Sequence, residues 1–330
     1  MRHLARPALV RLALAWVALA LAPALLGGHV ASQPMTGPAP PLRVLSYNVL
    51  HGGVLSGWAG TGEDLEARLR IAVEELRALD PDVIGVQEAS VSRRRGNVAE
   101  RLAQELGFHS AFAPALFRLF PLERVNRFAG WLMDFQEGPA ILSRFPIVAW
   151  EAHDLPRCNG MYDPRVLVYA TIRTPWGDIG IASTHTSRGF CEADRVIELM
   201  QARRGLLPSL LMGDFNADEE SMGIRRLTQQ AGFVDVFRAA NPSAAGLTVW
   251  QPVHVPVPMV RRRVDFVFLV PGQAVPGRVR ASRVVLDLPR TLADGTVLWP
   301  SDHYGVLAEV EVFGDAPAPA AEAGRHHAPE

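Results

Sequence analysis

Short apolar runs of strand length recur along this chain, and most of them stop against a polar residue of a kind that does chemistry. LRVLSY (Leu42–Tyr47) runs into Asn48, VIGVQ (Val83–Gln87) into Glu88 and IAST (Ile181–Thr184) into His185. LLMG (Leu210–Gly213) runs into Asp214, with Asn216 two residues on. Asp265 stands at the head of DFVFLV, and Asp302 and His303 precede the last strand, Val306–Val310. Helical spacings lie between these runs. Glu63–Leu79 places Leu65, Leu69, Ala72, Val73 and Leu76 on one face and is closed by Asp80–Pro81; Asn97–Leu106 and Glu192–Arg204 read the same way. Further strands are expected at Ala140–Leu142, Ile147–Ala152, Val166–Ile172 and Ile179–Thr184. Such a chain is α/β with mixed strand order and hairpins, not a strict βαβ repeat. Strand ends are where a sheet projects side chains into a shared crevice.

Taken singly, each polar residue has an ordinary reading: Asn48 as a turn, Asp214 as a helix cap, His303 as a hydrogen-bonded core histidine. Together they make a coherent set. Carboxylates and amide oxygens suit a hard cation such as Mg²⁺, which keeps several waters for its substrate. Two histidines supply an acid and a base near neutral pH. The chain carries no GxxxxGK[ST], GxSxG or HExxH, so P-loop, α/β-hydrolase and zincin chemistry lack support. The set fits metal-assisted attack of water on a phosphoester.

The ends of the chain read differently from its middle. Arg2, Arg6 and Arg11 precede the apolar run Leu12–Leu26, and Gly27, Gly28, Ala31 and Ser32 follow, the layout of a secretory signal over residues 1–32. The run is short for a membrane span and is interrupted by Pro23; a retained N-terminal anchor is the alternative. Losing these three arginines takes the formal charge from −1 to −4. Residues 33–41 read as a linker, 42–314 as one catalytic domain, and 315–330, Pro/Ala-rich with His326 and His327, as a disordered tail. Export to a periplasmic or extracellular, oxidising compartment would pair Cys158 with Cys191; two unrelated buried thiols are the alternative.

SYNV (Ser46–Val49), QE (Gln87–Glu88), GPAILSRFPI (Gly138–Ile147), STH (Ser183–His185), GDFN (Gly213–Asn216), RRVDFVF (Arg262–Phe268) and SDHYGV (Ser301–Val306) resemble the endonuclease/exonuclease/phosphatase superfamily. That group includes deoxyribonuclease I, exonuclease III-type enzymes, neutral sphingomyelinases and inositol polyphosphate 5-phosphatases. The resemblance runs in order from Leu42 to Phe313. It implies a four-layer α/β sandwich, two packed mixed β-sheets flanked by helices, with the site at one edge. It implies Glu88 as principal Mg²⁺ ligand (Mn²⁺ or Ca²⁺ being alternatives), with Asn48 beside it and Asp302 close to the metal. His303, oriented by Asp265, would be general base or phosphate contact, Asp214 would activate the attacking water, and Asn216 would hold a phosphate oxygen. His185 would stabilise the transition state or protonate the leaving oxygen, and Arg165 matches a basic residue near the phosphate.

His185 sets the chain apart from the exonuclease III-type branch, which the resemblance shows without a histidine there. The stretch Ala115–Phe135 sets Phe117, Phe120, Phe128, Trp131 and Phe135 among Arg118, Arg124 and Arg127. It reads as a segment for peripheral membrane contact or as a helical insertion packed on the core. Arg93–Arg95 and Arg261–Arg263 lie next to site strands and would face an anionic substrate, or are solvated loops. The expectation is an exported, monomeric, Mg²⁺-dependent phosphodiesterase on a phosphoester substrate, with phospholipid or sphingomyelin-like lipid ahead of nucleic acid. A secreted deoxyribonuclease-like nuclease and an inositol-polyphosphate-type phosphatase are alternatives. A catalytically silent binding homologue is the alternative outside enzymes, and no matched position is substituted in its favour.

Overall fold

The computed structural model describes residues 40–51, 64–116, 122, 124–126, 128, 132, 134, 136–158 and 163–313. The expected signal segment, the tail at 315–330, residues 33–39 of the linker, and Phe117, Arg118, Phe120, Arg127, Trp131 and Phe135 lie outside them. Strands in chain order are β1 (Leu42–Asn48), β2 (Val83–Ser92), β3 (Gly96–Asn97), β4 (His109–Phe112), β5 (Gln136–Ser143), β6 (Ile147–Asp154), β7 (Val166–Thr174) and β8 (Gly177–His185). They continue with β9 (Ser209–Asp214), β10 (Val234–Asp235), β11 (Asp265–Val270), β12 (Arg278–Val285), β13 (Arg290–Thr291), β14 (Val297–Leu298) and β15 (Gly305–Glu311). The helices are α1 (Leu65–Leu79), α2 (Val98–Leu106), α3 (Ala193–Ala202), α4 (Met222–Arg225) and α5 (Val236–Ala240).

The first sheet runs β12-β15-β1-β2-β5-β4, with β3 against β2, and the second runs β10-β11-β9-β8-β7-β6. Both are mixed: β1 pairs parallel with β2 but antiparallel with β15, and β8 pairs parallel with β9. Because strand side chains alternate, each central strand serves two cores. Leu42 and Val44 face Ile181, Leu210, Met212 and Val267 across the sandwich. Leu45, Tyr47, Ile84 and Val86 turn outward onto Leu65, Leu69 and Leu76 of α1 and Leu102 of α2. In the second sheet Leu211, Phe266 and Phe268 turn outward onto Val196 and Met200 of α3. The result is the four-layer α/β sandwich expected. Strands buried on both faces read as continuous apolar runs, which is why β1, β9 and β11 stand out in the sequence. The sheets approach so closely at Gly85 that a Cβ there would sit 2.8 Å from the Met212 Cβ.

Local signals set the helix limits. Asn97 caps α2 by accepting from the Ala99 N–H at 3.0 Å, and Gly107, at φ 71°, ends it. Arg68 departs from the apolar rule: it is fully buried on α1 and donates to the carbonyls of Val49 (2.8 Å), Leu50 (2.9 Å) and Pro300 (3.2 Å). This guanidinium joins the exit of β1 to the segment that leads into β15. Among the described residues, no helix is long and apolar enough to cross a membrane.

Cys158 and Cys191 form a disulfide with Cα atoms 5.9 Å apart, at a sequence separation of 33. Closing a loop of that length stabilises the fold by about 3–4 kcal/mol in the chain-entropy description. Reduction, or Cys158→Ser with Cys191→Ser, is expected to lower the denaturant midpoint accordingly. Identical unfolding curves with and without reductant would contradict this.

Candidate active site

The side-chain alternation that builds the sandwich core also builds the site. Along β9, Leu210 and Met212 face the first sheet, and Asp214 continues their row. Along β11, Val267 and Leu269 face inward and Asp265 heads the same row. Ile179 and Ile181 of β8 lead in this way to Ser183 and His185, and Leu42 and Val44 of β1 lead to Ser46 and Asn48. At one edge of the sandwich the inter-sheet stripe therefore turns from apolar to polar.

Glu88 reaches this edge by another route. It is not at a strand end, as its place after VIGVQ implies, because β2 runs on to Ser92. The register against β5 shifts between Val86 and Ala89, and Glu88 sits in that bulge at φ 56°. Ile84, Val86 and, beyond the bulge, Ala89 face the helices, so the extra residue is the one turned to the site. Positive φ is uncommon for a residue with a Cβ, and bulges serve to re-aim a side chain.

Asn48 Nδ2 donates to Glu88 Oε1 at 3.0 Å and to Asp214 Oδ2 at 3.1 Å, and its Oδ1 accepts the Leu50 N–H at 3.0 Å. Its nitrogen, not its oxygen, faces the carboxylates, so it aligns Glu88 and Asp214. His303 donates from Nδ1 to Asp265 Oδ2 at 2.9 Å, which leaves Nε2 3.6 Å from Asp214 Oδ2. Asn216 gives one Nδ2 proton to the Thr186 carbonyl and the other to His185 Nε2, both at 2.9 Å. His185 Nε2 is thereby an acceptor, and its proton rests on Nδ1, 4.0 Å from Glu88 Oε1. Ser301 Oγ donates to the Asn48 carbonyl at 2.7 Å and accepts the His303 N–H at 3.2 Å, which ties the Asp302–His303 segment to β1.

The two histidines end in opposite states. Burial alone would lower His303, but the charges of Asp265 and Asp214 outweigh it and hold the ring well above its usual value. Burial, with the Arg165 charge, takes His185 down to about 3. Burial also raises Asp214 to about 7, with the Asp265 and Glu88 charges adding to it, and raises Asp302. Glu88 is held at about 2: burial opposes its charge, but His185, His51 and the Asn48 amide outweigh burial. Since His185 is neutral near pH 7, its share of that hold is lost there, while the Asn48 hydrogen bond remains.

A hard divalent cation fits this donor set. Glu88, Asp214 and Asp302 are carboxylates gathered where little water reaches them, and two of the three are pushed toward protonation by burial and by one another. A cation beside them would relieve that repulsion. Glu88 and Asp302 are the carboxylates left to hold it, because Asp214 is engaged by Asn48, by the Asn216 N–H at 2.8 Å and by the two imidazoles.

Arg165 lines one cleft with Glu88, Glu137 and His185, its Nη2 2.6 Å from Asp163 Oδ1, so it does stand at the site. In the two basic runs, three arginines are turned to carboxylates, while Arg94 and Arg261 are exposed. Arg262 is paired with Asp218, and Arg263 is buried against Asp235 and Glu219 and stacked on Phe266. Arg93 is paired with Asp134 at 3.1 Å. Two residues at the site escaped the sequence reading, His51 and Glu137. They flank quoted motifs, His51 three residues after Asn48 and Glu137 directly before Gly138, and that adjacency was the available signal.

The chain matches the profile described as "Endonuclease/Exonuclease/phosphatase family" over residues 45–303. Its fold is that of a mannosyl-6-phosphatase from Bacteroides thetaiotaomicron VPI-5482, at 19% identity, covering 82% of this chain and 99% of that one, with a TM-score of 0.60. It is also that of the human nocturnin catalytic domain, solved with bound sulfate, at 20% identity, 82% and 93% coverage and a TM-score of 0.58. A truncated Caenorhabditis elegans TDP2 follows at 17% identity, 82% and 97% coverage and a TM-score of 0.55. No curated protein matches the chain by sequence.

Because its folded-state value is raised, His303 contributes stability that is full below its unfolded value of about 6.5 and is lost as pH rises through the folded one. In the metal-free protein its ring is expected to stay protonated above pH 7 in an NMR titration. Asp265→Asn should bring the midpoint down by at least one unit. An Asp265→Asn midpoint equal to wild type would remove Asp265 as the cause.

Proposed function

The chain belongs to the endonuclease/exonuclease/phosphatase family, whose members are metal-dependent hydrolases of phosphoester bonds, and on that premise we propose that it is an exported, Mg²⁺-dependent phosphodiesterase acting on phospholipid-type substrates at a lipid surface. The observation that carries the substrate class is exposed apolar surface within Ala115–Phe135. Leu122, Phe128 and Leu132 are 62%, 60% and 56% exposed, and Arg124 is exposed among them. Large apolar side chains beside a cation suit insertion among headgroups. The pairing of Arg93, Arg262 and Arg263 with carboxylates works against tracking a nucleic-acid backbone, which needs many free phosphate contacts. The basic, apolar N-terminal run and the disulfide support export.

The side chains divide the work as their contacts dictate. A divalent cation held by Glu88 and Asp302 would supply Lewis-acid stabilisation of phosphoryl charge. Asn48 keeps Glu88 and Asp214 in fixed relation. Asp265 orients His303 so that Nε2 and the Asp214 carboxylate stand together, a pair able to accept the proton of an attacking water. On the other side, Asn216 holds neutral His185 with its Nδ1 proton free for a phosphate oxygen, and Arg165 adds positive charge to the same cleft.

The test is hydrolysis by the full chain, with Mg²⁺ or EDTA, of sphingomyelin and phosphatidylcholine vesicles, plasmid DNA and a soluble sugar phosphate. Vesicle hydrolysis that needs Mg²⁺ is the expected result. Glu88→Gln should abolish it, and His185→Ala should cost on the order of 10²-fold, as positioned proton-handling groups do. Replacing Leu122, Phe128 and Leu132 by Ser should slow hydrolysis of vesicles and spare that of short-chain soluble lipid. Cleavage of plasmid alone would make the protein a nuclease, and release of phosphate from the sugar phosphate alone a phosphatase; either overturns the lipid reading.

A further inference from the structure

Next to Glu88 lie two side chains, His51 and Glu137, for which the hydrolytic scheme has no use. His51 follows β1, Glu88 projects from the bulge of β2, and Glu137 on β5 is aligned with Ser90 of β2. His51 Nε2 is 3.3 Å from Glu137 Oε2 and 3.5 Å from Glu88 Oε2, and the donor atoms of all three lie within 4.8 Å of one another. The two oxygens of Glu88 are shared out: Oε1 takes the Asn48 amide, and Oε2 faces His51. Glu137 Oε2 is sealed from solvent without a hydrogen-bond partner, an expensive state for a carboxylate.

We propose that His51, Glu88 and Glu137 form a second cation site, suited to a borderline ion such as Zn²⁺, with Glu88 bridging it to the Mg²⁺ position. One imidazole and two carboxylates are a donor set that favours zinc over magnesium. Ligands about 2.0–2.1 Å from a tetrahedral ion lie about 3.3–3.5 Å from one another, which is the spacing of His51 from each carboxylate. The buried Glu137 oxygen, which makes no hydrogen bond and faces only the His51 ring at 3.3 Å, gains a ligand bond. Arg165 borders the same cleft, but its charge is turned to Asp163 at 2.6 Å. The competing arrangement is a protonated His51 that simply pairs with both carboxylates.

The experiment is equilibrium dialysis of the full chain against Zn²⁺ in millimolar Mg²⁺, with bound zinc counted per chain. Wild type is expected to hold one more Zn²⁺ than His51→Ala or Glu137→Gln, and Asp302→Asn, which touches only the Mg²⁺ position, to hold as many as wild type. Equal zinc content in wild type and both variants overturns the proposal. Anomalous diffraction from wild-type crystals soaked in zinc keeps the question decidable should the variants not fold. A peak enclosed by His51, Glu88 and Glu137 supports the site; zinc bound only elsewhere, such as at His326 and His327, overturns it. Failure of the lipid assays would leave this result untouched, because ion content is read without substrate.

Discussion

One carboxamide holds the polar edge of the sandwich together. Asn48, fully buried at the end of β1, donates both protons of one nitrogen, to Glu88 in its own sheet and to Asp214 in the other. Two carboxylates at that spacing in a poorly hydrated place repel one another, and a buried polar group left unmatched is costly. The amide offsets part of both costs and fixes the separation of the sheets where the chemistry has to occur. Its own peptide is held in turn: Ser301 binds the Asn48 carbonyl, and Arg68 binds the next two carbonyls and that of Pro300. A buried cation on α1 thus braces the site through backbone carbonyls, and its charge also favours the ionised form of Asp302.

From that edge the electrostatics divide. The β11 side gathers Asp265, Asp214 and His303 and stabilises an imidazolium. The β8 side sets His185 between Asn216 and the Arg165 charge and stabilises a neutral ring. Residues of the same kind, equally enclosed, are driven to opposite protonation states by the sign of their neighbours. That asymmetry separates a proton-handling side from a side that only donates hydrogen bonds, without any difference in side-chain chemistry.

The central strands were legible in the sequence because burial on both faces writes them as unbroken apolar runs, and their polar last residues marked the site. β12 was not legible. RVRASRVV carries three arginines on an edge strand whose outward face is in water, so it lacks the apolar signal of β9 or β11. The short α4 and α5 were hidden for want of enough turns to show a helical period. Glu88 was found by its motif but misplaced at a strand end, since a bulge depends on the pairing with β5 and leaves no mark in β2 itself. His51 and Glu137 are significant only through Glu88, so proximity in space, not spacing in the chain, reveals them.

The bulge at Glu88 separates substitution from length change. The site side chains at the ends of β1, β8, β9 and β11 continue the alternation of their strands, and shifting any of those strands by one residue would exchange its two buried rows. In β2 the extra residue is already accommodated, and Ala89 resumes the outward row. Deleting one residue there would restore regular pairing and leave both cores filled, while Ala89 moved into register and the carboxylate disappeared from the edge. The position most exacting for chemistry is thus the one that the architecture could best do without, and a folded, silent homologue lies a single codon away.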